Sequence, residues 1–278
     1  MPCRVFIIGG EMKNSMKKNS CIKVSAVSDT GKIRSKNEDN CLLDDRGIRF
    51  AERCCDVFEL DNRTRRILAV CDGMGGEAYG DLASRIAVAS FSEFIPNIRE
   101  ASADKLHDII NLCASEINNR ICDMAEEMHA GKSGSTLAMV CIDGENVRAF
   151  NIGDSRIYFY KDGKLSQITE DQTVAMRKLK AGIYTPEEAK NSRDAHGLTS
   201  YLGSDMRRIG LKALAYPEFN ASGGKILICS DGLTDMCSDE LIAEILGRDP
   251  ENTAGVLVQN ALNNGGEDNI TCIVINFK

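Results

Sequence analysis

No stretch of this chain approaches the about 18–20 consecutive apolar residues that a bilayer-crossing helix needs, so a membrane span is excluded. A secretory signal is missing as well: Val5–Ile8 is far shorter than the roughly 7–15 residue apolar region of such a signal, and a cytoplasmic location is expected. The twelve cysteines contain no CxxC pair and no Cys/His zinc spacing, which argues against a disulfide framework or a structural zinc site. Cys71, Cys141, Cys229 and Cys272 lie within apolar runs, where a reduced thiol acts as a small hydrophobe. Basic runs longer than Lys17-Lys18 or Arg65-Arg66 are absent and the net charge is −7, so no nucleic acid ligand is expected. Histidine is scarce, limited to His107, His129 and His196.

What is present is ordinary for a globular protein, with 43% apolar and 27% charged residues in a chain of 278. Length alone leaves one domain or two open. Residues 1–20 are polar and lysine-rich and are expected to form a flexible leader or an over-extended start. Residues 21–278 contain no Pro/Gly linker, low-complexity tract or repeat, so a single domain is the economical reading. Apolar runs predict strands at 22–27, 67–71, 136–142, 147–152, 156–160, 225–229 and 270–277. Leu106, Ile110, Cys113, Ile117, Ile121, Met124 and Met128 recur at helical spacing and predict a core-packed stripe. A second helix over 77–95 would present Leu82, Ile86, Ala89 and Phe94. Strands in runs with helices between them imply a layered α+β arrangement. The charged stretch 44–66 suggests no role.

The chemistry lies where strands meet aspartates. The run 67–71 delivers Asp72-Gly73, 225–229 delivers Ser230-Asp231-Gly232, and 147–152 delivers Gly153-Asp154. A lone Asp-Gly reads as a turn, but repetition at strand flanks does not. Glycine permits close backbone approach, so the Gly73 carbonyl could itself bind an ion. Asp268 precedes its strand, so the strand 270–277 must run opposite to those ending in Asp72 and Asp231 for the carboxylates to meet. Carboxylates gathered at one mouth repel each other and need a cation, and an all-oxygen donor set favours Mg²⁺ or Mn²⁺ over zinc.

These residues fall in six runs: Ser28–Asp39, Ala69–Gly76, Gly134–Ala138, Asn151–Arg156, Ser230–Asp235 and Glu267–Thr271. Their content and order resemble the PPM or PP2C-type metal-dependent serine/threonine protein phosphatases in their bacterial form, over nearly the whole chain after about residue 22. The resemblance implies two packed antiparallel β-sheets flanked by α-helices, a four-layer α/β/β/α sandwich. It also implies hydrolysis of phosphoserine and phosphothreonine on proteins by a hydroxide bridging two divalent cations. Asp72 would bridge both Mn²⁺ or Mg²⁺ ions, Gly73 would offer its main-chain oxygen, and Asp231 and Asp268 would be ligands completing the other cation's shell. Asp154 and Asp235, with Asp231, resemble a possible third metal site. Glu38 and Asp39 would orient metal-bound water, and Arg34 would clamp the phosphate.

The family's histidine after Asp-Gly is Met74 here, leaving metal-bound water to protonate the leaving group, and a further common histidine is Gln172, a change read as structural. Arg156 is read as an ion-pair partner, and His107 and His129 as surface residues. His196 falls in Lys178–Tyr201, which resembles the family's mobile flap, and is a candidate for touching substrate. The resemblance implies phosphoprotein substrates, possible pairing with a serine/threonine kinase and its targets, and a monomer. Two alternatives are hydrolysis of a small phosphorylated metabolite at the same metals, and a pseudophosphatase binding module.

Overall fold

The computed structural model describes residues 21–46, 48–49, 53–75, 79–205 and 210–277. The expected leader, residues 1–20, lies outside them, as do Gly76 and the start of the second expected helix. In chain order the first strands are β1 (Cys21–Asp29), β2 (Asp39–Leu43), β3 (Ile48–Arg49), β4 (Arg53–Asp61) and β5 (Arg66–Gly75). Helices α1 (Gly80–Glu100) and α2 (Leu106–Glu127) follow, then β6 (Ser133–Ser135), β7 (Leu137–Asp143), β8 (Asn146–Ile152), β9 (Arg156–Lys161) and β10 (Lys164–Gln167). The remainder is α3 (Val174–Lys180), α4 (Pro186–Asn191), β11 (Leu214–Ala215), β12 (Phe219–Asn220), β13 (Lys225–Cys229), α5 (Asp231–Thr234), α6 (Asp239–Arg248), α7 (Thr253–Asn263) and β14 (Ile270–Phe277).

One sheet has six strands in the order β10-β9-β13-β14-β1-β4, and the other runs β11-β8-β7-β5-β2-β3, with β12 on β8 and β6 on β5. Every strand pair is antiparallel, and β14 runs opposite to β13 with Cys229 beside Cys272, as the placement of Asp268 requires.

Strand periodicity divides the apolar residues among three cores. In β5, Leu68 and Val70 face the other sheet, while Ile67, Ala69 and Cys71 face α1 and α2. In β14, Ile273 and Ile275 join the inter-sheet core, while Cys272 and Val274 pack with α6 and α7. Both faces of each central strand are thus covered, which explains their nearly unbroken apolar runs and gives the expected helix–sheet–sheet–helix order. Each fully buried isoleucine or leucine stabilises this arrangement by roughly 1.5–3 kcal/mol. Cys71, Cys141, Cys229 and Cys272 are buried among them.

Three readings need correction. β5 does not stop at Asp72; it changes neighbour there, pairing with β7 through Val70 and with β6 from Gly73. On α1 the buried face is Ala83, Ala87, Val88, Phe91 and Ile95, whereas Leu82, Ile86 and Phe94 are only half-buried at its margin. Small side chains let the helix lie close to the sheet, a contact that a search for large apolar residues passes over. α1 also continues through Pro96 to Glu100, because Ile98 is buried and Arg65 donates to the carbonyls of Ile98 (2.6 Å) and Ala101 (2.8 Å). On α2, six members of the stripe are buried, and Met128 is exposed just past the helix end.

The 44–66 stretch proves structural: it supplies the outer strand β4, and Asp44, whose buried carboxylate accepts from Arg66 (2.9 Å) and Arg99 (2.8 Å). Arg65→Met would leave the two carbonyls at the end of α1 without their donor and is expected to lower unfolding free energy by about 2–3 kcal/mol in urea titration. The exposed Arg63→Met should leave the urea midpoint unchanged.

Candidate metal centre

The register of β2 against β5 sets Asp39 opposite Asp72. Asp72 has its backbone fixed on both sides, its N–H donating to Thr136 Oγ1 (2.9 Å) and its carbonyl accepting from the Thr136 N–H (2.8 Å), so only the carboxylate is left to point outward. Gly73 is packed so tightly that a Cβ would lie 2.1 Å from the Gly80 carbonyl oxygen and 2.5 Å from that of Glu38. Glycine here lets the strand, the start of α1 and the Glu38 loop meet.

The other sheet contributes from β13 and β14. Asp231 opens α5 immediately after β13, and the following Gly232 lies against Asn269, whose carbonyl oxygen would be 2.1 Å from an added Cβ. That approach brings Asp231 alongside the segment bearing Asp268. Ser230 then ties the sheets together: its Oγ donates to Asp39 Oδ2 (2.7 Å) and accepts from the Thr271 N–H (3.0 Å). Asn269 fixes the Arg34 loop, donating through Nδ2 to the carbonyls of Thr30 and Lys36 (both 2.8 Å) and accepting from the Glu38 N–H (2.8 Å). Ser230, Thr136 and Asn269 stand inside the quoted runs, yet their positioning roles depend on which loop lies opposite and have no signature in the sequence.

The carboxylates strongly perturb one another. Burial, followed by the charges of Asp39, Asp231, Asp154 and Asp268, pushes Asp72 well above the ordinary range. Asp154 is likewise raised by burial and by Asp231 and Asp171. Burial lifts Asp39 to about 7 against the pull of its Ser230 hydrogen bond. Asp235 rises to about 6 by burial and the Asp231 charge, and Glu38 is raised by burial and by Asp81. Burial would also raise Asp231, but its interaction with the facing His196 imidazole and with Asp72 holds it low. Asp39 Oδ1 is the one buried side-chain polar atom without a hydrogen-bond partner among the described residues. A crowded set of oxygen donors with an unmet buried acceptor fits hard divalent cations and their bound water.

Asp268 is hydrogen-bonded through both carboxylate oxygens. Its Oδ1 accepts from the Asn269 N–H (2.8 Å), and its Oδ2 accepts from Arg34 Nη2 (2.7 Å), an exposed pair that supplies the positive charge at this edge. Among the described residues, the three metal-ligating side chains whose donor atoms lie within 4.8 Å of one another are His196, Asp231 and Asp235. Asp154 lines the same cleft, about 780 Å³ in volume, together with Met176, Met236 and Glu267. Residues of α3, α4 and a 3₁₀ turn at Arg193–His196, a stretch that overlaps the expected flap 178–201, also line it. Asp231, then Asp235, lift the His196 imidazole to about 9.

Arg156 is an ion-pair partner, and its carboxylate is Asp171, with Nη2 to Oδ2 at 2.6 Å. Gln172 serves structurally, donating to Asn151 Oδ1 (2.7 Å) beneath the flap. His129 is exposed, whereas His107 does more than occupy the surface, its ring lying 3.1 Å from the Ala213 carbonyl oxygen.

A sequence profile described as protein phosphatase 2C matches residues 47–248. Over 256 residues the chain is 31% identical to the serine/threonine protein phosphatase PstP of Mycobacterium tuberculosis, covering 91% of this chain but 44% of that longer protein. It is 32% identical to the serine/threonine phosphatase stp of Listeria monocytogenes, covering 89% of this chain and 93% of the relative. The crystal structure of the PstP catalytic domain in complex with two manganese ions superposes with a TM-score of 0.72 at 30% identity, covering 92% of this chain and 98% of that one. With its two antiparallel sheets and the aspartates at their shared edge, this chain belongs to the protein phosphatase 2C family.

Proposed function

We propose that the chain hydrolyses phosphoserine and phosphothreonine monoesters on proteins, using two divalent cations held by Asp72, the Gly73 carbonyl, Asp231 and Asp268. The observation that carries this reading is that carboxylates from both sheets crowd a single seam, where they cannot all ionise without added positive charge. Manganese in the PstP structure supports Mn²⁺ as one suitable ion, with Mg²⁺ the other hard candidate. Asp154 and Asp235, with Asp231, form a third, weaker site. When bound, the ions supply Lewis acidity toward the phosphoryl oxygens and acidify water.

The chain's own residues do the rest. Asp39 and Glu38 accept hydrogen bonds from water at the seam, and Ser230 keeps Asp39 aimed there. Asn269 holds the loop so that Arg34 stands at the edge. The exposed Arg34 guanidinium, paired here with Asp268, carries the fork of donors that would meet two oxygens of the phosphate. The Cys71 thiol beside Asp72 packs into the core toward α1 and is pushed far up by burial, so it supplies no thiolate nucleophile.

The direct test is hydrolysis of a phosphothreonine peptide with Mn²⁺, with Mg²⁺ and with chelator. Activity should vanish in chelator, and Asp231→Ala should lose at least about 100-fold in kcat; a variant as fast as the parent rejects the mechanism. A peptide rate no better than that on a small phosphorylated metabolite rejects proteins as substrates. Arg34→Ala should reduce kcat/KM for the peptide by about 10- to 100-fold, the loss of charge-assisted bonds to phosphate.

Asp39 provides a pH test. Between an unfolded pKa near about 4 and about 7 in the fold, the folded chain keeps a proton that the unfolded chain has released. Stability of metal-stripped protein therefore falls as pH rises through that window. In chelator, the advantage of Asp39→Asn over the parent should grow by up to about 1.4 kcal/mol per pH unit between pH about 4 and 7, read by urea unfolding at several pH values.

A further inference from the structure

The His196 imidazole hangs over the cleft from a turn that is itself fixed. Asp194, two residues earlier, accepts from Lys178 Nζ (2.5 Å) and Tyr184 Oη (2.8 Å). Gly197, just after it, accepts through its carbonyl from the Val174 N–H (2.7 Å), and the Thr199 N–H donates to the Gln172 carbonyl (2.7 Å). The backbone of the turn is thus held on both sides, while the His196 side chain itself is 62% exposed.

Its Nδ1 lies 3.7 Å from Asp231 Oδ2 and 3.9 Å from Asp235 Oδ2. Both distances are too long for hydrogen bonds, which bring nitrogen and oxygen to about 2.7–3.2 Å. Two ligands bound at about 2.1 Å to one octahedral ion stand about 3.0 Å apart when adjacent and about 4.2 Å apart when opposite. The observed spacings match neither value but lie between them, so a small shift of the exposed His196 side chain brings Nδ1 to an adjacent-ligand distance, and the three donors come from two separate elements, the turn at Arg193–His196 and α5 with its following residue.

We propose that His196 is a nitrogen ligand to a cation shared with Asp231 and Asp235, so that metal binding pins the flap over the cleft. The inference deepens the third-site reading given above and rests on it. An imidazole donor favours ions later in the transition series over Mg²⁺, so this site would prefer Mn²⁺ to Mg²⁺ where an all-carboxylate site would discriminate less.

The test uses untagged, metal-stripped full-length protein titrated with Mn²⁺, with free ion counted by EPR and the bound ion probed by pulsed EPR for ¹⁴N coupling. The parent should bind three equivalents and show coupling to one imidazole. His196→Ala should lose the coupling and bind the weakest equivalent at least about tenfold less tightly. Hydrogen exchange at 193–197 should slow on adding Mn²⁺ in the parent and not in the variant. Bound Mn²⁺ without ¹⁴N coupling in the parent, or with coupling that survives in His196→Ala, overturns the proposal and leaves the two-cation reading standing. If no Mn²⁺ binds below millimolar concentration, both fail together.

Discussion

Electrostatic repulsion at the seam between the two sheets is the constraint to which the rest of the site responds. Asp39 and Asp72 come from one sheet, and Asp231 and Asp268 from the ends of strands in the other, so packing the sheets forces like charges together. The cost is met locally by Ser230, which donates across the seam to Asp39, and by Arg34, which faces Asp268. A fold stabilised by apolar burial on three levels can tolerate such a cluster, because a few kcal/mol of strain is small beside the summed contribution of its cores.

That arrangement also explains why the glycines are placed as they are. A methyl group at Gly73 or Gly232 would collide with backbone rather than with movable side chains. Each glycine is a point where one chain segment is pressed against another to bring its preceding aspartate forward. The positioning polar groups, Thr136, Ser230 and Asn269, then hold backbone N–H and carbonyl groups that would otherwise be buried without partners.

Much of this was legible in the linear chain. The central strands announce themselves because both faces are buried, leaving runs such as Ile226–Cys229 almost free of polar residues. β2 escapes notice since its Asp39-Asn40 start serves the seam, and β4 because Asp56 and Glu59 break up its apolar residues on an outer strand. The aspartates were readable as strand-flanking Asp-Gly pairs, but the pairing of Arg156 with Asp171 and the approach of His196 to Asp231 were not. Those depend on how the flap folds back, which no local pattern specifies.

β14 lies between β13 and β1 in the middle of its sheet, and the Ser28–Thr271 hydroxyl pair at 2.7 Å joins residues 243 positions apart. Closing so long a loop is entropically costly and comes late in assembly. Since Asp268 and Asn269 lead into that strand, the carboxylate seam cannot be complete before β1 and β14, from opposite ends of the described chain, have paired. Molecules that lack the β1–β14 pairing therefore lack an assembled carboxylate cluster.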